Sequence, residues 1–228
     1  MKKSVFAVAL VSLLGLGASA QANTITFSAD KVLTKTNWLE TLVLGKFDTK
    51  LGHLTSIDFT VTGLTQGLGR TENLSSVNTN ATLSLSSTFT LSRAGNNLLV
   101  VTNPVFTKTF ALNPFDGTID FGGRSGASTG TLTHSASGTT HDTNANDFAA
   151  FSAAGGGFIN LNLGAVAASR ATGAGSLTSA FTTKSAGSVS VTYNYAPVPE
   201  PETYAMMLAG LGLLGFAARR RNSAKKIG

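Results

Sequence analysis

The densest set of potential ligand oxygens in this chain is His141-Asp142-Thr143-Asn144-Ala145-Asn146-Asp147. Asp142, Asn144 and Asn146 fall at alternate positions with Asp147 adjacent, the spacing by which a calcium loop presents oxygen to a hard cation. The pattern departs from an EF-hand at two points. Asp147 stands where that loop has glycine, and Ala153 stands where it has a bidentate glutamate. A polar solvated connection is the simpler reading; the four residues are a weak calcium candidate, and no metal is expected. Asp116 and Asp120 suggest a carboxylate pair, but glycoside hydrolysis needs two carboxyls about 5 to 10 Å apart. Four residues along a straight strand spread them by about 13 Å, so Asp116 reads instead as a turn residue before Gly117. His53, His134 and His141 fit no Ser-His-Asp or His-x-x-x-His spacing, and Gly155-Gly156-Gly157 lacks the lysine of a P-loop. No catalytic residue and no cofactor is expected, and the chain reads as a non-enzyme.

Strands must position these side chains. Leu83, Leu85, Phe89 and Leu91 alternate with Thr82, Ser84, Thr88 and Thr90; Ile57, Phe59 and Val61 alternate with Asp58, Thr60 and Thr62. Val189, Val191, Tyr193 and Tyr195 alternate with Ser188, Ser190, Thr192 and Asn194. A period of two with one apolar and one hydroxyl face describes strands that are buried on one side and wet on the other. Further strands are predicted at 24–28, 40–46, 98–102, 106–112, 117–121 and 159–165. Between residues 23 and 198 no helical periodicity persists over three turns. The fold class is therefore all-β, an antiparallel β-sandwich or jelly roll. Residues 122–146 and 167–176, dense in Gly, Ser, Thr and Asn, read as loops, and 196–198 as a flexible linker. Trp38 reads as core or edge cover. Asn73-Leu-Ser75 and Asn80-Ala-Thr82 have the N-glycosylation spacing, which predicts exposed loops.

The two ends have a different chemistry. Lys2 and Lys3 precede an apolar run over 5–17 and the small residues Ala18-Ser19-Ala20-Gln21-Ala22, the order of a cleavable secretory signal. Signal peptidase is expected to cut after Ala22, giving a signal helix over 1–22 and a domain over 23–196. At the other end Pro197-Val198-Pro199-Glu200-Pro201-Glu202 leads to an apolar stretch over 204–218 and then Arg219, Arg220 and Arg221. An apolar span stopped by arginines reads as a C-terminal transmembrane helix, with 223–228 as a cytoplasmic tail. Fifteen residues at 1.5 Å rise reach about 22 Å, less than the ~30 Å hydrocarbon core, which suits a transient anchor.

Between the targeting ends the chain has ten basic and nine acidic side chains, so the basic overall charge belongs to topology. A nucleic-acid partner is excluded on that ground. With no cysteine, the exported domain has no disulfide, no thiolate-held metal and no thiol nucleophile.

The order Pro199-Glu200-Pro201, apolar stretch, Arg219-Arg220-Arg221 resembles the PEP-CTERM sorting signal of Gram-negative bacteria, here spanning 197–222. The resemblance implies recognition by an exosortase-type sorting peptidase in the inner membrane, which is occupied transiently. It further implies cleavage near Pro199-Glu200-Pro201 and delivery to the cell surface, outer membrane or extracellular matrix. A plain membrane anchor is the alternative, with the same topology. Within the domain, Phe47, Asp48, Leu51, Gly52, Leu54 and the strand 57–61 resemble the opening motif of choice-of-anchor domains of type E, whose ending matches at 189–195. That resemblance implies no catalytic activity. Physically, Asp48 can bond a backbone N–H two residues on, and Gly52 permits a positive φ. The reading that results is a non-catalytic surface or matrix protein associated with exopolysaccharide or biofilm. A secreted carbohydrate-binding or carbohydrate-hydrolysing sandwich is the alternative.

Overall fold

The computed structural model describes residues 23–198 and 206–216. The signal helix at 1–22, Pro199-Glu200-Pro201 and Arg219 to Arg221 lie outside them. Between residues 23 and 198 the strands are β1 (Asn23–Lys35), β2 (Trp38–Gly45), β3 (Phe47–Asp48), β4 (Gly52–Asn73), β5 (Thr79–Arg93) and β6 (Asn96–Leu112). They continue with β7 (Gly126–Ser128), β8 (Leu132–Asp142), the helix α1 (Ala145–Phe151), β9 (Ser152–Ala153), β10 (Phe158–Gly173) and β11 (Leu177–Pro197). One antiparallel sheet has the order β1-β11-β4, with β8 and β7 both pairing the far side of β4. The other has the order β2-β10-β5-β6, and β3 and β9 make a two-residue parallel pair. β1 also lies against β2 and β6 against β8, so the sheets curl together at both edges. The arrangement is consistent with an all-β sandwich.

The period-two alternation explains the core. Ile57, Phe59, Val61, Val189, Val191, Tyr193 and Tyr195 from the first sheet meet Leu42, Leu44, Phe89, Leu91, Leu161 and Leu163 from the second. Tyr193 is buried and donates its hydroxyl to the Gly45 carbonyl at 2.9 Å. Burial pushes its ionisation well above the ordinary phenol range. Trp38 covers one edge, edge-on to Phe89, and donates its indole N–H to the Ser185 carbonyl.

Farther along the domain the inner face is not apolar but bare. Gly63 on β4 pairs with Gly187 on β11. A Cβ at Gly63 would lie 2.2 Å from the Phe89 ring, and one at Gly187 would lie 2.7 Å from Leu163 Cδ2. Gly67 and Gly69 continue the row beneath Leu85 and Leu83. The missing side chains are the space into which the opposite sheet inserts its large ones.

Several sequence expectations are corrected. Residues 122–146 are not one loop, because β7, β8 and the start of α1 lie within them. β10 runs on to Gly173 through the stretch read as a loop from 167, and 117–121 is not a strand. Nor is 196–198 a linker: Ala196 and Pro197 pair with His53 and Gly52, and the Val198 N–H bonds the Leu51 carbonyl at 3.2 Å. Asn73 is fully buried, its amide donating to the Val77 and Asn113 carbonyls, and Asn80 lies within β5. Of the transmembrane helix read over 204–218, only residues 206–216 lie among the described residues. Residues 206–216 are helical, and among the described residues no helix is long and apolar enough to cross a membrane.

The turn from β3 into β4 follows its sequence. Asp48 Oδ1 accepts the Lys50 N–H at 2.9 Å and the Gly155 N–H at 2.7 Å. Gly52 is required by close approach: a Cβ there would sit 2.1 Å from the Ala196 carbonyl oxygen. The Lys50 and then the Gly155 amide hold the Asp48 carboxyl below its ordinary range.

Two outcomes test this description. Gly63→Ala should destabilise by about 1 to 3 kcal/mol through overpacking against Phe89. Gly164→Ala, whose Cβ on the outer face would meet Leu39 at an ordinary 3.4 Å, should fall within about 1 kcal/mol of wild type and on the stabilising side. Denaturant unfolding of the two variants checks both, and equal effects would contradict the glycine-lined interface. Because the folded-state pKa of Asp48 is depressed, its contribution is present above the unfolded value of 3.8 and is lost as pH falls through the folded value. Asp48→Ala should therefore lower Tm at pH 7, with the gap to wild type closing in acid below 3.8.

Candidate functional site

The polar face of the β1-β11-β4-β8 sheet carries the most regular chemistry in the molecule. Register sets Thr26, Thr192, Asp58 and His141 in one row across four strands, and Ser28, Ser190, Thr60 and Thr139 in the next. Asp30, Ser188, Thr62 and Ser137 form a third. Hydroxyls bond one another across the strands: Thr26 with Thr192 at 2.9 Å, Ser28 with Ser190 at 3.0 Å, Thr60 with Thr139 at 2.9 Å and Thr62 with Ser137 at 2.9 Å. Such rows satisfy β-propensity with branched residues while keeping the face hydrated.

Asp58 anchors one end of the face. Its Oδ1 lies 2.6 Å from His141 Nδ1, and its Oδ2 accepts the Asn194 amide at 2.7 Å. Asn194 also donates to the Ser56 hydroxyl. A Ser-His-Asp relay needs its histidine between an acid and a hydroxyl. Here, among the described residues, the one side-chain hydrogen bond of His141 is to Asp58. The arrangement can position polar groups and water along a hydroxyl-lined surface. Sequence reasoning missed this pair because 83 residues separate its members and only strand register joins them.

The other candidates serve local structure. Asn144 caps α1, accepting the Asn146 N–H, while Asp142 accepts the Asn144 N–H at 2.7 Å. Asp147, in the first turn of α1, has its carboxyl raised above the ordinary range by partial desolvation first and by the neighbouring Asp142 second. Asp142 and Asp147 thus come close, as the calcium reading requires, but Asp142 and Asn144 each already accept a backbone N–H. No group of three or more His, Asp or Glu able to hold a metal occurs among the described residues. Asp116 Oδ1 accepts the Thr118 N–H and Asp120 Oδ1 the Gly122 N–H, so each carboxylate closes its own turn. His134 bonds Asn103 at 2.5 Å, while His53 pairs along β4 with Ala196.

A cavity of about 530 Å³ opens at the far end of the domain between Asn78, Thr79, Asn80, Leu112, Asn113 and Ala174, with no carboxylate or histidine in its lining. Glu72 on β4 is fully buried, with no partner for either carboxylate oxygen among the described residues. Nothing in its local sequence sets it apart from an exposed strand residue.

Comparison with known proteins places one element of the chain. No curated protein matches it in sequence. Among solved structures, the T13 particle of infectious bursal disease virus matches at 13% identity and a TM-score of 0.15, over 80% of this chain and 41% of that one. The VP2 subviral particle of the same virus matches at 12% and 0.13, over 88% and 49%. The chain thus spans less than half the length of either, and similarity at that level carries no argument about fold. The family model of the PEP-CTERM protein-sorting motif matches residues 197–221. The chain carries the signal of proteins exported and sorted to the cell surface by an exosortase, and that signal starts on Pro197, the last residue of β11.

Proposed function

We propose that this is a non-catalytic surface or extracellular-matrix protein of a Gram-negative cell, associated with exopolysaccharide. In this reading signal peptidase removes 1–22, and the apolar segment at 204–218 holds the chain transiently in the inner membrane. An exosortase-type peptidase then recognises Pro199-Glu200-Pro201 with Arg219 to Arg221, and the β-domain is delivered outward. The observation that carries the reading is the sorting motif at 197–221, continuous with a domain whose polar face is built from hydroxyl rows. Hydroxyls in register offer donors and acceptors to a neutral, hydroxyl-rich polymer without charge selection. The domain is further read as a choice-of-anchor domain of type E, from Phe47, Asp48 and Gly52.

The carbohydrate-binding alternative has one observation in its favour, the Asp58, His141 and Asn194 cluster on that same face. It differs from the first reading in requiring a defined saccharide rather than a general matrix.

The test is the mass of the mature protein from fractionated cells, for wild type and for a variant with Pro199→Ala, Glu200→Ala and Pro201→Ala. Wild type should lose the segment beyond the motif and leave the inner membrane, while the variant keeps its tail and stays there. An intact tail in both would reduce the motif to a plain anchor. Turnover of a polysaccharide by the purified protein would end the non-catalytic reading.

A further inference from the structure

The strand register brings both tethered ends of the domain to one pole. Asn23, the first residue of β1, pairs with Tyr195 near the end of β11, and Pro197 pairs with Gly52 at the start of β4. Segment 1–22 therefore enters, and the sorting segment leaves, where the β3–β4 turn lies. Seven residues separate Val198 from the helical stretch that begins at 206, and at full extension they span at most about 25 Å. The 22 residues of β4 run about 70 Å in the opposite direction. The turn after β4, with Val77, thus lies at the opposite pole, far from the exit of the tail.

That pole exposes three large apolar side chains close to the exit of the chain. Phe158 is 77% exposed at the start of β10, Leu51 is 43% exposed in the turn, and Val198 is 51% exposed. Leu51 and Val198 are joined by a backbone hydrogen bond. Phe158 sits beside Gly45, and the adjacent Gly157 carbonyl accepts the Lys46 N–H. The charged groups at this end are Lys46, Lys50 and Arg93 against Asp48, Asp58, Asp142 and Asp147, with His141 on Asp58, so no cationic patch draws it to lipid headgroups. Apolar tips ringing a chain exit suit the boundary between headgroups and acyl chains.

We propose that, before release, the pole formed by Leu51, Phe158 and Val198 rests on the lipid bilayer, standing the domain upright over the sorting segment that tethers it. The contact is apolar, so added salt should leave it unchanged. The inference rests on the membrane tether of the proposed function, and the experiment separates the two.

The chain has no cysteine, so single sites can be labelled without removing any. Leu51→Cys, Phe158→Cys and Val77→Cys, each in the full chain, are labelled with an environment-sensitive fluorophore. Each is reconstituted into vesicles of phosphatidylcholine and phosphatidylglycerol that carry quencher-bearing acyl chains. Labels at 51 and 158 should be quenched at least two-fold more than the label at 77, at low and at high salt. A chain that binds the vesicles with all three labels equally bright overturns the upright contact while leaving the tether standing. So does protection of 51 and 158 that requires added sorting peptidase, since the occupant would then be protein. A chain that stays in solution overturns both the contact and the tether.

Discussion

The domain depends on β11, the last strand to be made and the central strand of its sheet. It pairs with β1 from Lys184 to Tyr195 along one side and with β4 over its whole length along the other. Without it β1 has no hydrogen-bonded neighbour in that sheet, and the core loses Val189, Val191, Tyr193 and Tyr195 together. These pairings join residues more than a hundred positions apart, so loop closure must be met before they reward folding. Folding can finish only when residues up to 197 have reached the compartment where the domain resides. The sorting signal begins on the last residue of the strand that completes the fold.

A second constraint fixes how closely the sheets approach. Around Phe59 and Tyr193 the space between them is filled from both sides by aromatic and branched residues. Around Gly63, Gly67, Gly69 and Gly187 it is filled from one side, by Phe89, Leu85, Leu83 and Leu163. Gly138 on β8 does the same for Val101. Glycine in a strand weakens it intrinsically, and its recurrence at inward positions marks close approach rather than looseness. The outer face needs no such matching, so it accommodates threonine and serine in rows.

The same glycines decide how much could be read from the sequence. Alternation was plain at 83–91 and 189–195, where large apolar residues occupy the inward positions. It failed beyond Val61, where β4 continues on Gly63, Thr65, Gly67 and Gly69, and along β8, whose inward residues include Ala136 and Gly138. These positions are covered, fully on β4 and partly on β8, by what faces them and not by what they carry, and no local pattern records that. The turn at Asp48 was legible because its bond is two residues long. The Asp58 and His141 pair was not, because its two members meet only through the β4–β8 register. The seven-residue α1 escapes a search for three turns, although its Asn144 cap was visible as one of a run of side-chain oxygens in the loop before it.

The order of elements at the C-terminus links fold and sorting more tightly than a linker would. Pro197 belongs both to the matched motif and to the strand, where it faces Gly52, and the Val198 N–H is bonded to Leu51. A peptidase cutting before Pro197 would have to open pairing at the end of a central strand, which costs hydrogen bonds already made. Cutting after Val198 disturbs none of them. The fold thus favours scission on the distal side of Val198, where Pro199-Glu200-Pro201 lies, and the released domain keeps all its strands.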